Sequence, residues 1–258
     1  MNTNSVLYED RGNYCCLILN REDKCHALNE DMIEEFDHYL KEIEKNDAVR
    51  MVELTATGDK FFCAGGDIKS WSAYSALDMG RQWIKHGNEV FDRLRNLSKV
   101  TVANINGHAI GGGLELALSC DFRIARPKAK FSTPEVTLGM IPGWMGIERI
   151  LASVNQSTAR EMLLLGRRLD AHQAKDAGLI NEVVEKEELA QWFAAKIAEV
   201  EKCGPVAVAH IKHLINALTN KNSAYEHQLL AALMSATEDC QSATRAFAEK
   251  NSPVFMNK

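Results

Sequence analysis

Short apolar runs alternate with amphipathic stretches through the first two thirds of the chain. Each run has the length of a buried strand and is bounded by turn-forming residues. Strands are predicted at Tyr14–Leu19, Met51–Ala56, Val100–Ile105 and Phe122–Ala125. Strands that alternate with helices favour parallel crossover connections. The pattern therefore predicts an α/β core.

Two of the intervening segments have the periodicity of amphipathic helices. The first begins after Asn29, a residue type that caps helices well. Its apolar stripe consists of Met32, Ile33, Phe36, Leu40 and Ile43. The second is predicted over Leu77–Leu97, with inward positions at Trp83, Val90, Phe91 and Leu94. A glycine-containing loop is predicted at Lys60–Lys69, and a short apolar helix at Leu114–Ser119.

After about Glu185 the strand signals stop and helical periodicity takes over. It covers Leu189–Val200, Val206–Leu218 and Ala224–Lys250, and Gly204-Pro205 separates the first two segments. We therefore divide the chain into a core, residues 1–195, and a helical segment, residues 196–258.

Composition narrows the functional classes further. The 258 residues carry a net charge of -5, and no basic, aromatic-rich stripe suggests nucleic acid as a partner. Seven scattered cysteines without a CxxC pair favour a reducing compartment, so we expect a cytoplasmic protein. No apolar segment has the length of a membrane span, and the polar N-terminus does not resemble a signal peptide.

A run of three glycines, residues 111–113, follows a predicted strand and opens a predicted helix. The first amides of a helix have no intrahelical acceptor and can stabilise developing negative charge. A second glycine turn, in the string FFCAGGDIK, also follows a strand. Two such turns could each supply one amide to a thioester oxygen that becomes an enolate. Either turn alone is also compatible with ordinary tight packing. No GxGxxG or GxxxxGK motif supports a nucleotide site.

Two carboxylates accompany these turns. Glu115 lies in the first turn of the apolar helix, and Glu135 follows Pro134 in an apolar loop. A carboxylate pair in a partly buried pocket can divide acid and base duties, because different environments separate the two pKa values. The alternatives are a charge that offsets the helix dipole for Glu115 and a surface acid for Glu135.

Five strings in register resemble the crotonase (enoyl-CoA hydratase/isomerase) superfamily from about Asn20 to Phe255. They are FCAGGDIK, NGHAIGGGLELALSCDFRIA, FSTPEVTLGMIPG, GRRLDAHQAKDAGLINEVV and AFAEKNSPVF. The resemblance implies a crotonase-like spiral of ββα units with a helical C-terminal segment for trimerisation. It implies a homotrimer, or a hexamer that is a dimer of trimers.

The resemblance also implies roles for individual residues. Ala64 and Gly112 would supply the oxyanion amides, while Glu115 and Glu135 would hold the water that adds to an enoyl thioester. The remaining residues implied to bind the substrate and its CoA are Ala27, Leu28, Gly66, Asp67, Ile68, Gly111, Trp144 and Lys250. Neither a metal nor a separate cofactor is implied, since coenzyme A is part of the substrate.

Two departures from the family pattern stand out. Glu22 and His26 replace a proline and an asparagine that are common near the CoA mouth. Trp144 and Met145 replace small residues after Ile-Pro-Gly. We expect Trp144 either to reshape the acyl pocket or to turn into the core or a subunit contact.

The predicted function is hydration of an enoyl-CoA, or the reverse dehydration. An isomerase, decarboxylase or hydrolase of the same family remains an alternative, as does a carrier-protein thioester in place of CoA. A more remote alternative is a non-catalytic or RNA-binding scaffold, which the net charge disfavours.

Overall fold

The larger of two sheets forms the centre of the molecule. In the computed structural model, residues 4–219 and 224–253 are described. Six strands follow the order β1-β2-β3-β5-β7-β10. Their bounds are Val6–Asp10 (β1), Tyr14–Leu19 (β2), Met51–Ala56 (β3), Val100–Ile105 (β5), Phe122–Ala125 (β7) and Glu182–Val183 (β10). Only β1 is antiparallel to its neighbour in this sheet, and the other pairs are parallel. The four predicted strands and the parallel α/β core are confirmed.

The smaller sheet carries the order β4-β6-β8-β9. Its strands are Phe61–Cys63 (β4), His108–Ile110 (β6), Lys130–Ser132 (β8) and Leu169–Asp170 (β9). β4, β6 and β8 run parallel, and β9 is antiparallel to β8. Since both glycine turns leave the carboxyl ends of neighbouring parallel strands, this sheet brings them to the same edge.

Helices cover the sheets and form the C-terminal segment. Their bounds are Glu30–Lys45 (α1), Ile68–Trp71 (α2), Ala76–Asp78 (α3), Lys85–Asn96 (α4), Gly112–Ala117 (α5), Gly146–Ser153 (α6), Gln156–Leu165 (α7), Ala171–Asp176 (α8), Leu189–Glu201 (α9), Pro205–Thr219 (α10), Ala224–Ser235 (α11) and Glu238–Glu249 (α12). Short 3-10 turns lie at Glu22–Lys24, Pro134–Leu138 and Lys186–Glu188.

Helix α1 shows how the sequence pattern produces local structure. The Asn29 side chain accepts a hydrogen bond from the Met32 amide at 3.2 Å, which satisfies one of the unpaired donors of the first turn. The five apolar side chains of its predicted stripe are all buried. They pack with the apolar residues of β2, β3 and α4 in one large core cluster.

Three predicted elements differ from the structure in detail. The helix predicted over Leu77–Leu97 contains a π-helical segment, Met79–Ile84, between α3 and α4. The loop predicted at Lys60–Lys69 begins with β4, because it pairs with β6. The last predicted helix is two helices, because the Thr237 side chain accepts from the Cys240 amide and starts a new helix.

The division of the chain at residue 195 stays a prediction, and that position falls inside the continuous helix α9. The end of the AFAEKNSPVF string lies outside the described residues. Within residues 4–219 and 224–253, no helix combines the length and apolarity needed to cross a membrane.

Candidate active site

Two backbone amides converge where the glycine turns leave the smaller sheet. They belong to Gly66, after β4, and Gly112, the first residue of α5. A Cβ atom on Gly112 would stand 3.4 Å from the Gly66 nitrogen, so the two turns are in close contact. In the described part of the chain, neither amide donates to a protein acceptor. Two free donors therefore line one small region.

The amide of Ala64 is engaged elsewhere. It donates to the Cys25 carbonyl at 3.0 Å, and this bond joins the turn to the preceding loop. The prediction that Ala64 supplies an oxyanion amide is therefore wrong in this geometry, because its donor already has a partner. The free donor of this turn lies two residues later, at Gly66.

Glu115 is buried in the first turn of α5, with 2% of its surface exposed. Its Oε1 atom accepts hydrogen bonds from the amides of Trp144 at 2.8 Å and Gly146 at 2.9 Å. Hydrogen bonds donated to a carboxylate favour its ionised form. Glu115 is therefore held as an acceptor with a fixed orientation.

Glu135 lies opposite, in the 3-10 turn that Pro134 begins. Its Oε2 atom is buried and has no hydrogen-bond partner in the described structure. Burial, together with the nearby charge of Glu115, raises the pKa of Glu135 to about 8. The Glu135 carboxyl group therefore favours its protonated form at neutral pH.

Gly111 leaves space for the Glu135 carboxyl group because it has no side chain. Its φ of 53° and ψ of -128° are accessible to glycine and strained for other residues. A Cβ atom here would also stand 2.6 Å from Glu135 Oε1. The first glycine of the triplet thus permits both the sharp turn and the close approach of the carboxyl group.

Both carboxyl groups and both free amides line one cavity of about 110 Å³. Its apolar wall comes mainly from the segment around the π-helix and from the loop after Glu135. That wall consists of Ile68, Trp71, Met79, Trp83, Ile84, Leu138, Met140, Ile141 and Trp144. Polar groups and an apolar wall in one cavity suit a ligand with a reactive carbonyl and a hydrocarbon tail.

Trp144 turns into the core, which is one of the two expectations from the sequence, and its effect on an acyl pocket stays a prediction. It is buried, with 3% of its surface exposed, and it also lines the cavity. Its ring centroid lies 5.1 Å from that of Trp83 and 5.1 Å from that of Phe91. The side chain is therefore a core residue that forms part of the pocket wall.

Arg149 supports the turn that holds Glu115. It is 4% exposed and donates to the Trp144 carbonyl at 3.0 Å and to Ser119 Oγ at 2.7 Å. Its other terminal nitrogen contacts Asp92 Oδ1 at 3.1 Å. Burial lowers the pKa of Arg149 to about 10, which leaves the guanidinium charged at neutral pH.

The segment at the proposed CoA mouth is fixed to the first glycine turn. The Leu28 amide donates to the Gly65 carbonyl at 2.7 Å, and the Asp67 amide donates to the Leu28 carbonyl at 2.7 Å. Arg21 reaches the Ala27 carbonyl and forms a 3.1 Å ion pair with Asp67. Most of the predicted CoA contacts therefore belong to two segments that are hydrogen-bonded to each other.

His26, the unusual residue of this segment, is buried. Its Nδ1 atom accepts from the Arg21 amide at 3.1 Å, and Nε2 lies 3.0 Å from the Thr57 carbonyl. Burial lowers the pKa of His26, so the ring is neutral and serves a structural role. Burial likewise raises the pKa of the nearby Cys63 thiol to about 12, unlike an activated nucleophile.

Of the other predicted contacts, Gly66, Ile68, Gly111 and Trp144 line the cavity. Lys250 is exposed at the end of α12 and does not line it, so its contact with CoA phosphates stays a prediction. Among residues 4–219 and 224–253, no cluster of three or more His, Cys, Asp or Glu side chains could hold a metal ion.

Three contributors to the site were not among the residues expected in these roles: the Gly66 donor, the Arg149 support and the close approach of Gly87 to Trp144. A Cβ atom on Gly87 would stand 2.2 Å from Trp144 Nε1. Gly87 carried one available signal, since a glycine inside an amphipathic helix often marks a close contact. The other two depend on long-range contacts.

Comparison with known proteins places this chain in a family. Residues 9–258 match the enoyl-CoA hydratase/isomerase family. The chain is 37% identical over 254 residues to the short-chain-enoyl-CoA hydratase of Clostridium acetobutylicum, covering 97% of each protein. It is 34% identical to the crotonyl-CoA hydratase of Syntrophomonas wolfei, covering 98% of each. The structure of a carnitinyl-CoA dehydratase from Mycobacterium avium superimposes with a TM-score of 0.85 at 32% identity, covering 99% of this chain and 100% of that one. The chain thus belongs to the enoyl-CoA hydratase/isomerase family and has the crotonase fold.

Proposed function

We propose that this protein is an enoyl-CoA hydratase, which adds water across the α,β double bond of an acyl-CoA and also catalyses the reverse dehydration. The observation that carries the proposal is the unequal carboxyl pair in one cavity. Glu115 is bonded to two amides, and the pKa of Glu135 is raised to about 8. Hydration needs both a base and an acid, so this pair supplies both at neutral pH.

The thioester oxygen would lie between the Gly66 and Gly112 amides. As water adds at the β-carbon, the electrons of the double bond shift towards the thioester, and its oxygen becomes that of an enolate. Donors fixed beforehand stabilise this charge without reorganising during the reaction. Both amides lack protein acceptors in the described structure, which leaves them available for this role.

Glu115 and Glu135 would divide the two proton transfers. The ionised Glu115 accepts a proton from the water while its oxygen bonds to the β-carbon. The protonated Glu135 gives its proton to the α-carbon as the enolate collapses to the product thioester. Dehydration reverses both transfers, so Glu135 then accepts the α-proton and Glu115 protonates the departing hydroxyl group. No metal or redox cofactor enters this scheme, and coenzyme A acts as part of the substrate.

Ala27, Leu28, Asp67 and Ile68 would contact the CoA portion, because they surround the turn that carries the Gly66 donor. Lys250 would reach the CoA phosphates from the end of α12, within one subunit or across a subunit contact.

The direct test is the loss of ultraviolet absorbance of the conjugated thioester when the purified protein meets crotonyl-CoA, followed by product mass. A mass gain of one water is the expected result. Unchanged crotonyl-CoA, with turnover of a β,γ-enoyl, β-carboxyacyl or saturated acyl-CoA, would instead identify an isomerase, decarboxylase or hydrolase. The same assay with a carrier-protein thioester tests CoA preference, and a low-salt RNA titration tests the scaffold alternative.

We also propose that the protein works as a homotrimer, or as a hexamer of paired trimers, in the cytoplasm. The C-terminal helices support this, since α10, α11 and α12 expose large apolar side chains to solvent in the single chain. These include Val206, Ile211, Leu214, Leu218, Leu229, Leu233 and Phe247. Light scattering of the purified protein measures its mass, and a monomer at micromolar concentration would contradict the proposal.

A further inference from the structure

We propose that the indole of Trp144 limits the space for the acyl group, so that the protein accepts enoyl groups of about four carbon atoms and rejects medium-length chains. This inference rests on the hydratase function proposed above and concerns the substrate class of the same site. It is carried by the contacts of the indole ring, the rigidity of its surroundings and the size of the cavity.

The indole ring bridges two glycines on different helices. A Cβ atom on Gly112 would stand 2.5 Å from Trp144 Cζ3, and one on Gly87 would stand 2.2 Å from Nε1. The six-membered ring thus covers the start of α5, and the pyrrole edge contacts α4. At both positions, a side chain as small as that of alanine would collide with the indole.

The contact between the indole and α4 requires a glycine at position 87, which lowers the stability of that helix. The residue lies inside α4, where glycine is less favourable than alanine for helix stability. Its missing side chain provides the space that the indole occupies. The large residue at position 144 and the small residue at position 87 therefore form a complementary pair that spans the pocket wall.

The packing around the indole opposes a rotation that would make space for a longer acyl chain. Trp83 and Phe91 flank it with tilted rings, both at 5.1 Å between centroids. The backbone amide of Trp144 donates to Glu115, and the Trp144 carbonyl accepts from Arg149, so the backbone at this residue is also fixed. Rotation of the side chain would require the surrounding aromatic cluster to repack, which dense protein interiors resist.

The remaining space matches a small acyl group. The cavity measures about 110 Å³, whereas a cavity of about 150 Å³ accommodates the six carbons of benzene. In this proposal a crotonyl group fits within the smaller volume, and an octenoyl chain would need the space that the indole occupies. The apolar lining also disfavours a charged acyl terminus.

The test compares hydration of crotonyl-CoA and trans-2-octenoyl-CoA by the wild type, Trp144→Ala and Trp144→Phe. We expect the wild type to prefer the crotonyl group, and Trp144→Ala to shift the ratio of the two kcat/KM values towards octenoyl-CoA by at least about tenfold. Trp144→Phe, which preserves a packed ring, should shift it less. Trp192→Ala is the matched control, because this tryptophan lies outside the cavity and packs on Phe193; its ratio should equal that of the wild type.

A binding experiment separates this inference from the proposed function. Calorimetry with the saturated butyryl-CoA and octanoyl-CoA needs no chemistry, and thermal melts verify that each variant is folded. Tighter octanoyl-CoA binding by Trp144→Ala than by the wild type would support the pocket limit even if no enoyl-CoA is hydrated. Two results would overturn the inference. One is a wild type that binds and hydrates the two chain lengths equally well. The other is a chain-length preference that stays unchanged in folded Trp144→Ala and Trp144→Phe.

Discussion

The carboxylate of Glu115 accepts the backbone amide of Trp144, the residue whose indole forms the pocket wall, at 2.8 Å. One short turn, completed by the Gly146 amide, therefore positions both a candidate catalytic group and the wall of the acyl cavity. Changes in this turn should affect proton transfer and chain-length preference together, whereas a change confined to the indole should affect mainly the latter.

Glu115→Gln and Glu135→Gln should each lower kcat for crotonyl-CoA hydration by about 10²–10⁴-fold, because each removes one proton-transfer group. The amide side chain preserves the size of the carboxyl group, so thermal melting should show a folded protein. Glu89→Gln, an exposed position on α4, is the control and should keep wild-type turnover. Full activity in either active-site variant would contradict its assigned role.

The raised pKa of Glu135 should make stability depend on pH. Between the ordinary carboxyl pKa of 4.5 and about 8, the folded state retains a proton that the unfolded state has lost. Stability should therefore fall as pH rises across this interval and level off above it. Glu135→Gln cannot titrate there, so the melting temperature of the wild type should decrease relative to that of the variant from pH 5 to pH 8.

The deprotonation of Glu135 should also lower the activity. Because hydration requires protonated Glu135, kcat/KM should decline as pH rises through about 8. A rate profile for crotonyl-CoA from pH 6 to pH 10 measures this limb. A flat profile across that range would argue against Glu135 as the proton donor.

The Gly112 amide can be removed without leaving the helix, because proline is well tolerated at the first position of a helix. In a Trp144→Ala background, which makes room for a side chain at this position, Gly112→Pro lacks the donor and Gly112→Ala keeps it. We expect the proline variant to have a kcat about 10²–10³-fold below that of the alanine variant. Equal turnover of the two would exclude this amide as an oxyanion donor.

Arg149→Met should reduce the free energy of unfolding by about 2–4 kcal/mol, because it leaves buried acceptors of Trp144 and Ser119 without their donor. Urea denaturation followed by circular dichroism measures this loss. Arg168→Met, at an exposed position, should change the free energy of unfolding by less than about 0.5 kcal/mol. A similar small effect for Arg149 would show that the turn does not depend on the guanidinium group.

Local patterns in the sequence were sufficient for four strands of the larger sheet, for the first helix and for the family. Apolar runs predicted β2, β3, β5 and β7 with their observed bounds, and the stripe of α1 predicted its buried face. These features depend on short-range periodicity, which survives in a linear sequence. The strings around the glycine turns identified the family because turn chemistry and spacing are also local.

Only the tertiary structure decided which groups are free and which are engaged. Ala64 and Gly66 lie two residues apart in one glycine turn, yet the contact with Cys25 takes up one amide and leaves the other available. The raised pKa of Glu135 arises from burial and from Glu115, twenty positions away in the chain. Hydrogen-bond partners, burial and charge–charge distances depend on the packing of remote segments, so the sequence could nominate the carboxyl groups but could not determine their protonation or the fit of Trp144 against Gly87.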